Sequence, residues 1–129
     1  MTLYAPNEGE ERMLEWITAN NLYMSLTTLD FTQADTLNYA NFSSYIPVNE
    51  GSEHKLLTGA AWTVTGTTPT VATYSSQLTW TCSGATHTYY GYIVWDDTDD
   101  TLLWSEKWSS AEASYSGKLI KLTPAITLD

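Results

Sequence analysis

The stretch His87-Thr-Tyr-Tyr-Gly-Tyr-Ile-Val-Trp95, followed by Asp96-Asp-Thr-Asp-Asp100 and then Thr101-Leu-Leu-Trp-Ser-Glu-Lys107, decides the fold. Branched and aromatic side chains fit a pleated, half-buried surface, so both flanking runs read as strands. Four aspartates within five residues cannot be buried, so the run between them is a turn and the whole is an antiparallel hairpin. Working toward the N-terminus, Leu22, Met24 and Leu26 alternate with Tyr23, Ser25 and Thr27, which predicts a strand with one buried face. Residues 55–58 and 61–65 read as short strands parted by Gly59, with a turn at Gly66 and Pro69. Residues 71–82 alternate as one strand through Tyr74, Leu78 and Trp80. Ser109–Ser116 reads as a polar loop. Residues 118–128 alternate to the end, with Pro124 at a bulge or edge position.

Two regions depart from the two-residue period. Residues 30–53 form a long excursion with short apolar runs around Phe42, Tyr45 and Val48, broken by Pro47 and Gly51; one strand is predicted there. Near the N-terminus, Asn7 reads as an N-cap with Glu10 as its capping-box partner. Leu14, Ile17 and Met13 recur at helical spacing, and Asn20 and Asn21 end the run. One helix is predicted over about 8–19, and no other. Short strands with turn signals every 8–12 residues indicate a sandwich or barrel. The expected class is all-β: a single antiparallel β-sandwich domain over 1–129, with an N-terminal arm and helix in 1–20.

At 129 residues the chain can bury a core without metal or disulfides, and its single cysteine, Cys82, allows no internal bridge. The net charge of −10, with five basic residues, argues against gripping nucleic-acid phosphates or an anionic membrane. No apolar run approaches the length of a membrane span. The N-terminus carries acids where a secretion signal would carry bases, so none is expected. Six Trp and nine Tyr against two Phe put a polar handle on most aromatics, which suits interfaces as well as cores.

The chemistry-bearing residues are sparse. Asp96, Asp97, Asp99 and Asp100 offer oxygens of the kind calcium prefers, yet the glycine and glutamate spacing of an EF-hand is missing, and a solvated turn is expected. His54 and His87 have no spacing that pairs them on zinc. No nucleophile elbow occurs. The acids cluster in the helix start and one turn, which disfavours the opposed carboxylates of a glycosidase cleft. No catalytic residue, metal or cofactor is therefore predicted. Cys82 reads as a small buried hydrophobe. Trp62, Trp80, Trp95 and Trp104 fall in strands and are expected in the core. Trp108, at a strand end beside a Ser-rich loop, is the tryptophan expected at the surface.

Several strings, in order, resemble a family of small structural proteins of tailed phages, cyanophages among them. They are Tyr4-x-Pro6-Asn7-x-Gly9-Glu10, Leu22-Tyr23, Phe42-x-x-Tyr45, Leu57-Thr58-Gly59 with Trp62-Thr63-Val64, Tyr90-Gly91-Tyr92, Leu103-Trp104-x-Glu106 and Leu122-Thr123-Pro124-x-Ile126-Thr127-Leu128-Asp129. The resemblance covers most of the chain in patches and is weakest in 30–56. It implies a jelly-roll-like sandwich and a capsid decoration (cement) protein on the virion surface, bound to the major capsid protein and self-associating as a dimer or trimer. Leu3, Tyr4 and Pro6 of the arm, Phe42 and Tyr45 of the excursion, and Trp108 are the residues expected to touch partners. The alternative is a tail-fibre or baseplate module that stacks host glycans on its aromatics.

Overall fold

The computed structural model describes residues 5–47, 54–83 and 86–128. The elements are α1 (Asn7–Thr18), β1 (Leu22–Thr27), α2 (Tyr39–Phe42), β2 (Lys55–Leu57), β3 (Trp62–Thr65), β4 (Thr70–Tyr74), β5 (Leu78–Thr81), β6 (Thr88–Asp96), β7 (Thr101–Ala113), β8 (Leu119–Leu122) and β9 (Ala125–Leu128). Single 3₁₀ turns lie at Ser43–Tyr45 and Gly59–Ala61. Strand dominates, each pairing with a resolved register is antiparallel, and the one long helix is N-terminal, so the all-β class holds. The strands make three sheets, ordered β2-β1-β6-β7, β3-β4-β9 and β5-β8. The chain forms two compact units, one within Met1–Asn21, Leu57–Leu78 and Leu122–Asp129, the other within Leu22–Leu56 and Thr79–Lys121.

In the first unit, α1 begins one residue before the expected start. Pro6, not Asn7, is the N-cap: its ring presets an extended-compatible φ of −69°, and its carbonyl takes the N–H groups of Gly9 and Glu10 at 2.8 and 3.0 Å. The predicted Asn7–Glu10 capping box is absent. Asn7 instead donates to Thr68 Oγ1 at 3.0 Å, and Glu10 accepts from Thr70 Oγ1 at 2.9 Å. Both side chains therefore tie α1 to the turn that leads into β4. At the other end Asn20 Nδ2 donates to the Trp16 carbonyl at 2.9 Å, which ends the helix near the predicted place. Of the predicted apolar face, Leu14 is buried and Ile17 half-buried, but Met13 is exposed. The expected single strand over 71–82 is two, because Ser75–Gln77 turn the chain between β4 and β5.

In the second unit, the predicted hairpin is the middle of the four-stranded sheet. Tyr23, Met24, Ser25 and Leu26 lie opposite Trp95, Val94, Ile93 and Tyr92. β1 is buried on both faces, contrary to the single buried face that its alternation suggests. Tyr23, Ile93, Trp95 and Leu102 share the face covered by the excursion, whose Phe31 and Phe42 complete a core with Leu29, Leu37, Tyr39 and Ile46. The excursion meets this sheet through α2 and the 3₁₀ turn, and its described part, 30–47, holds no strand. Asn38 caps α2, with Asn41 Oδ1 accepting its N–H at 2.8 Å. The Asp96–Asp100 run is a turn, with Asp100 in the left-handed region at φ 54°.

β7 reaches Ala113, so the predicted loop from Ser109 is mostly strand. Its register explains the polar sequence. Tyr89 pairs with Glu112 and Gly91 with Lys107, so residues 108–111 stand opposite Tyr90 alone. They leave the ladder as a bulge of four residues against one. Gly91 closes that bulge, where β6 and β7 approach so closely that a Cβ would run into the Glu106 carbonyl.

Candidate binding surface

The geometry of α1 offers a surface built on Trp16. At 100° per residue, Trp16 lies about 200° around the helix from buried Leu14, and Met13 is its neighbour three residues back. Trp16 is 68% exposed and Met13 40%. Arg12, on the same side, pairs with Glu15 at 2.9 Å. Beside them Pro6, Glu8, Gly9, Glu11, Arg12 and Glu15 line a shallow concavity. An exposed indole next to a thioether, rimmed by carboxylates, can seat a partner that brings an apolar pocket flanked by cations.

Of the residues predicted to touch partners, Leu3 and Tyr4 lie outside the described residues. Pro6 is exposed, but its backbone is committed to starting the helix. Phe42 is a correction: it is fully buried, its ring 5.0 Å from Phe31 at an interplanar angle of 81°, and no partner can reach it. Phe31, Leu37, Tyr39 and Ile46 of the excursion pack in the same way, on their own sheet. Tyr45 keeps a 42% exposed ring on an anchored backbone, since its carbonyl takes the Thr28 N–H at 3.0 Å. Trp108 is half-buried at the start of the β7 bulge, and not the open surface tryptophan expected. Trp80 and Trp95 are buried as predicted, while Trp62 and Trp104 are half-buried.

No protein-family model matches this chain, and no curated protein matches it.

The remaining chemistry is structural. Trp95 is enclosed by Tyr23, Tyr39 and His54, with centroids 5.8, 5.3 and 5.9 Å away. Its Nε1–H is buried and has no acceptor among the described residues. Burial, then Asp100 and Asp97, push the Tyr39 phenol up. The Tyr92 phenol is pushed well above its ordinary range by burial and by its hydrogen bond to Glu106, so it stays protonated where proteins work. Carboxylates of the Asp96–Asp100 turn bind their own loop: Asp96 takes the Thr98 N–H at 2.9 Å and Asp99 the Thr101 hydroxyl at 2.6 Å. Cys82 is buried. Among the described residues no three His, Cys, Asp or Glu side chains gather as a metal site, and no helix is long and apolar enough to cross a membrane.

Proposed function

We propose that this chain is a non-enzymatic structural protein of a tailed-phage virion, a capsid decoration protein that binds and stabilises the major capsid shell from outside. The ordered resemblance along the chain carries this reading, and a jelly-roll-like arrangement belongs to the same proposal. The acidic charge supports it, since copies crowded on a shell repel non-specific contacts. The exposed Trp16–Met13 face of α1 supports it as well, because a buried indole at the centre of an interface contributes more than most contacts. In this reading α1 and the residues before it grip the capsid protein, and copies meet as dimers or trimers. A second reading, a tail module for host glycans, is favoured by the open rings of Trp16 and Tyr115, the latter 64% exposed.

Binding of purified chain to particles stripped of it tests the proposal. Trp16→Ala should leave folding intact and weaken capsid binding by about 30-fold or more, a hot-spot loss of ~2 kcal/mol. Unchanged capsid binding, together with loss of binding on a glycan array, would move the assignment to the tail.

A further inference from the structure

The outward stripe of α1 sets a recess beside a projection. Gly9, Met13 and Trp16 stand at i, i+4 and i+7, within about 60° of one another around the helix axis. Gly9 lines the shallow concavity at the start of the helix, and the exposed Trp16 indole projects two turns further on. Nothing in the fold requires a glycine at position 9. Its φ is not positive, and the nearest atoms a Cβ would meet are the Pro6 ring at 3.6 Å and Ala5 at 4.0 Å, both ordinary contacts. Glycine inside a helix costs stability, and here the fold itself offers nothing to offset that cost. Gly9, Arg12, Met13 and Trp16 are the i, i+3, i+4 and i+7 corners of a hole, the arrangement that receives one large side chain from a facing helix.

The charges along the stripe indicate what fits there. Glu10 is held by Thr70, and Glu11 lies against Gly66, where a Cβ would collide with its carboxylate. Glu8 and Glu15 remain, seven residues and so about 10 Å apart along one edge of the stripe. Arg12 pairs with Glu15, but both side chains are exposed and such a pair exchanges readily. A second copy of the chain does not match this edge. Its five cations are Arg12, Lys55, Lys107, Lys118 and Lys121, no two of them seven residues apart, and two α1 helices would bring their carboxylates together with one arginine each to balance them. We propose that the stripe receives a basic amphipathic helix of another protein. One large apolar side chain of that helix seats over Gly9, small ones make room for Trp16, and two Lys or Arg seven residues apart meet Glu8 and Glu15. This deepens the capsid reading and rests on it for the source of the helix, which would be a segment of the shell.

Two synthetic helical peptides of about 20 residues serve as probes, one with a leucine stripe edged by Lys seven residues apart, the other with Glu in place of Lys. Titrated into the full-length chain, the basic peptide should bind at least about tenfold tighter than its acidic twin, most clearly at low salt. It should also shift the tryptophan emission to the blue, and Trp16→Phe should remove that shift. Glu8→Gln/Glu15→Gln should weaken binding about tenfold and flatten its salt dependence. Gly9→Leu, whose side chain has room, should keep or raise the thermal midpoint and abolish peptide binding. Equal binding of the two peptides, or binding that Gly9→Leu leaves unchanged, overturns the proposal. Stripped particles separate it from the virion reading. Capsid binding unaltered in Gly9→Leu and in Glu8→Gln/Glu15→Gln would overturn the α1 stripe and leave the virion reading standing. Peptide binding without any capsid binding would keep the stripe and end the virion reading.

Discussion

Phe42→Ala separates a core residue from a contact residue. Phe42 has no exposed surface and packs edge-to-face on Phe31, against Ile93 and Trp95. Removing a fully buried phenyl ring costs about 3–5 kcal/mol through lost transfer energy and the cavity left behind. The aromatic pair supplies ~0.5–1.5 kcal/mol of that. Domains of this size are stable by about 5–15 kcal/mol, so the variant should lose about a fifth or more of its stability. The thermal midpoint should fall by about 10–20 °C, read by calorimetry, and the urea midpoint should fall with little change in slope. Phe42→Leu should retain most of the stability. In the cold, where Phe42→Ala remains folded, its binding to capsids should match that of the unmodified chain. A loss below ~1 kcal/mol, or a folded variant that no longer binds, would refute the placement of Phe42 in the core.

Gly91→Ala should cost about 2–4 kcal/mol, because the added methyl meets the Glu106 carbonyl and forces β6 and β7 apart; a normal thermal midpoint would contradict that close approach. Tyr92 has a folded-state pKa raised above the unfolded value, so its contribution is fully present below about pH 10 and is lost as pH rises from there. Ultraviolet titration should show Tyr92 ionising only with alkaline unfolding, so Tyr92→Phe should remove one tyrosine from that late phase while costing about 1.5–3 kcal/mol at neutral pH for the lost bond to Glu106. Deleting residues 1–5 should leave the domain folded, since Pro6 and its capping carbonyl remain, whereas removing Pro6 as well should lower the midpoint; equal stability of the two truncations would refute the capping role of Pro6.

The parts of the fold set by short-range patterns were legible. β1, β6, the aspartate turn and the start of β7 follow from alternation and from carboxylates that cannot be buried. The parts set by tertiary geometry were not. Phe42 and Tyr45 lie in a stretch with no period, and only packing against Ile93 and Trp95 draws one ring inside while the other stays out. Ser109-Ser110-Ala111 reads as a loop because those residues do leave the ladder; the return to pairing at Glu112 depends on β6 running on to Tyr89. Asn7 has the chemistry of a cap, but Thr68 of a distant turn claims its side chain. Trp16 was within reach. Its position on the helix, two residues after Leu14, already turns it away from the buried face, and a helical wheel drawn for all of 8–19 would have marked it.

The central claim is that this chain coats a capsid, and quantitative mass spectrometry of purified particles that contain it tests that claim most directly. The account predicts a copy number comparable with that of the major capsid protein, and release of the chain together with loss of shell stability. A handful of copies per particle, fractionating with detached tails, would contradict it.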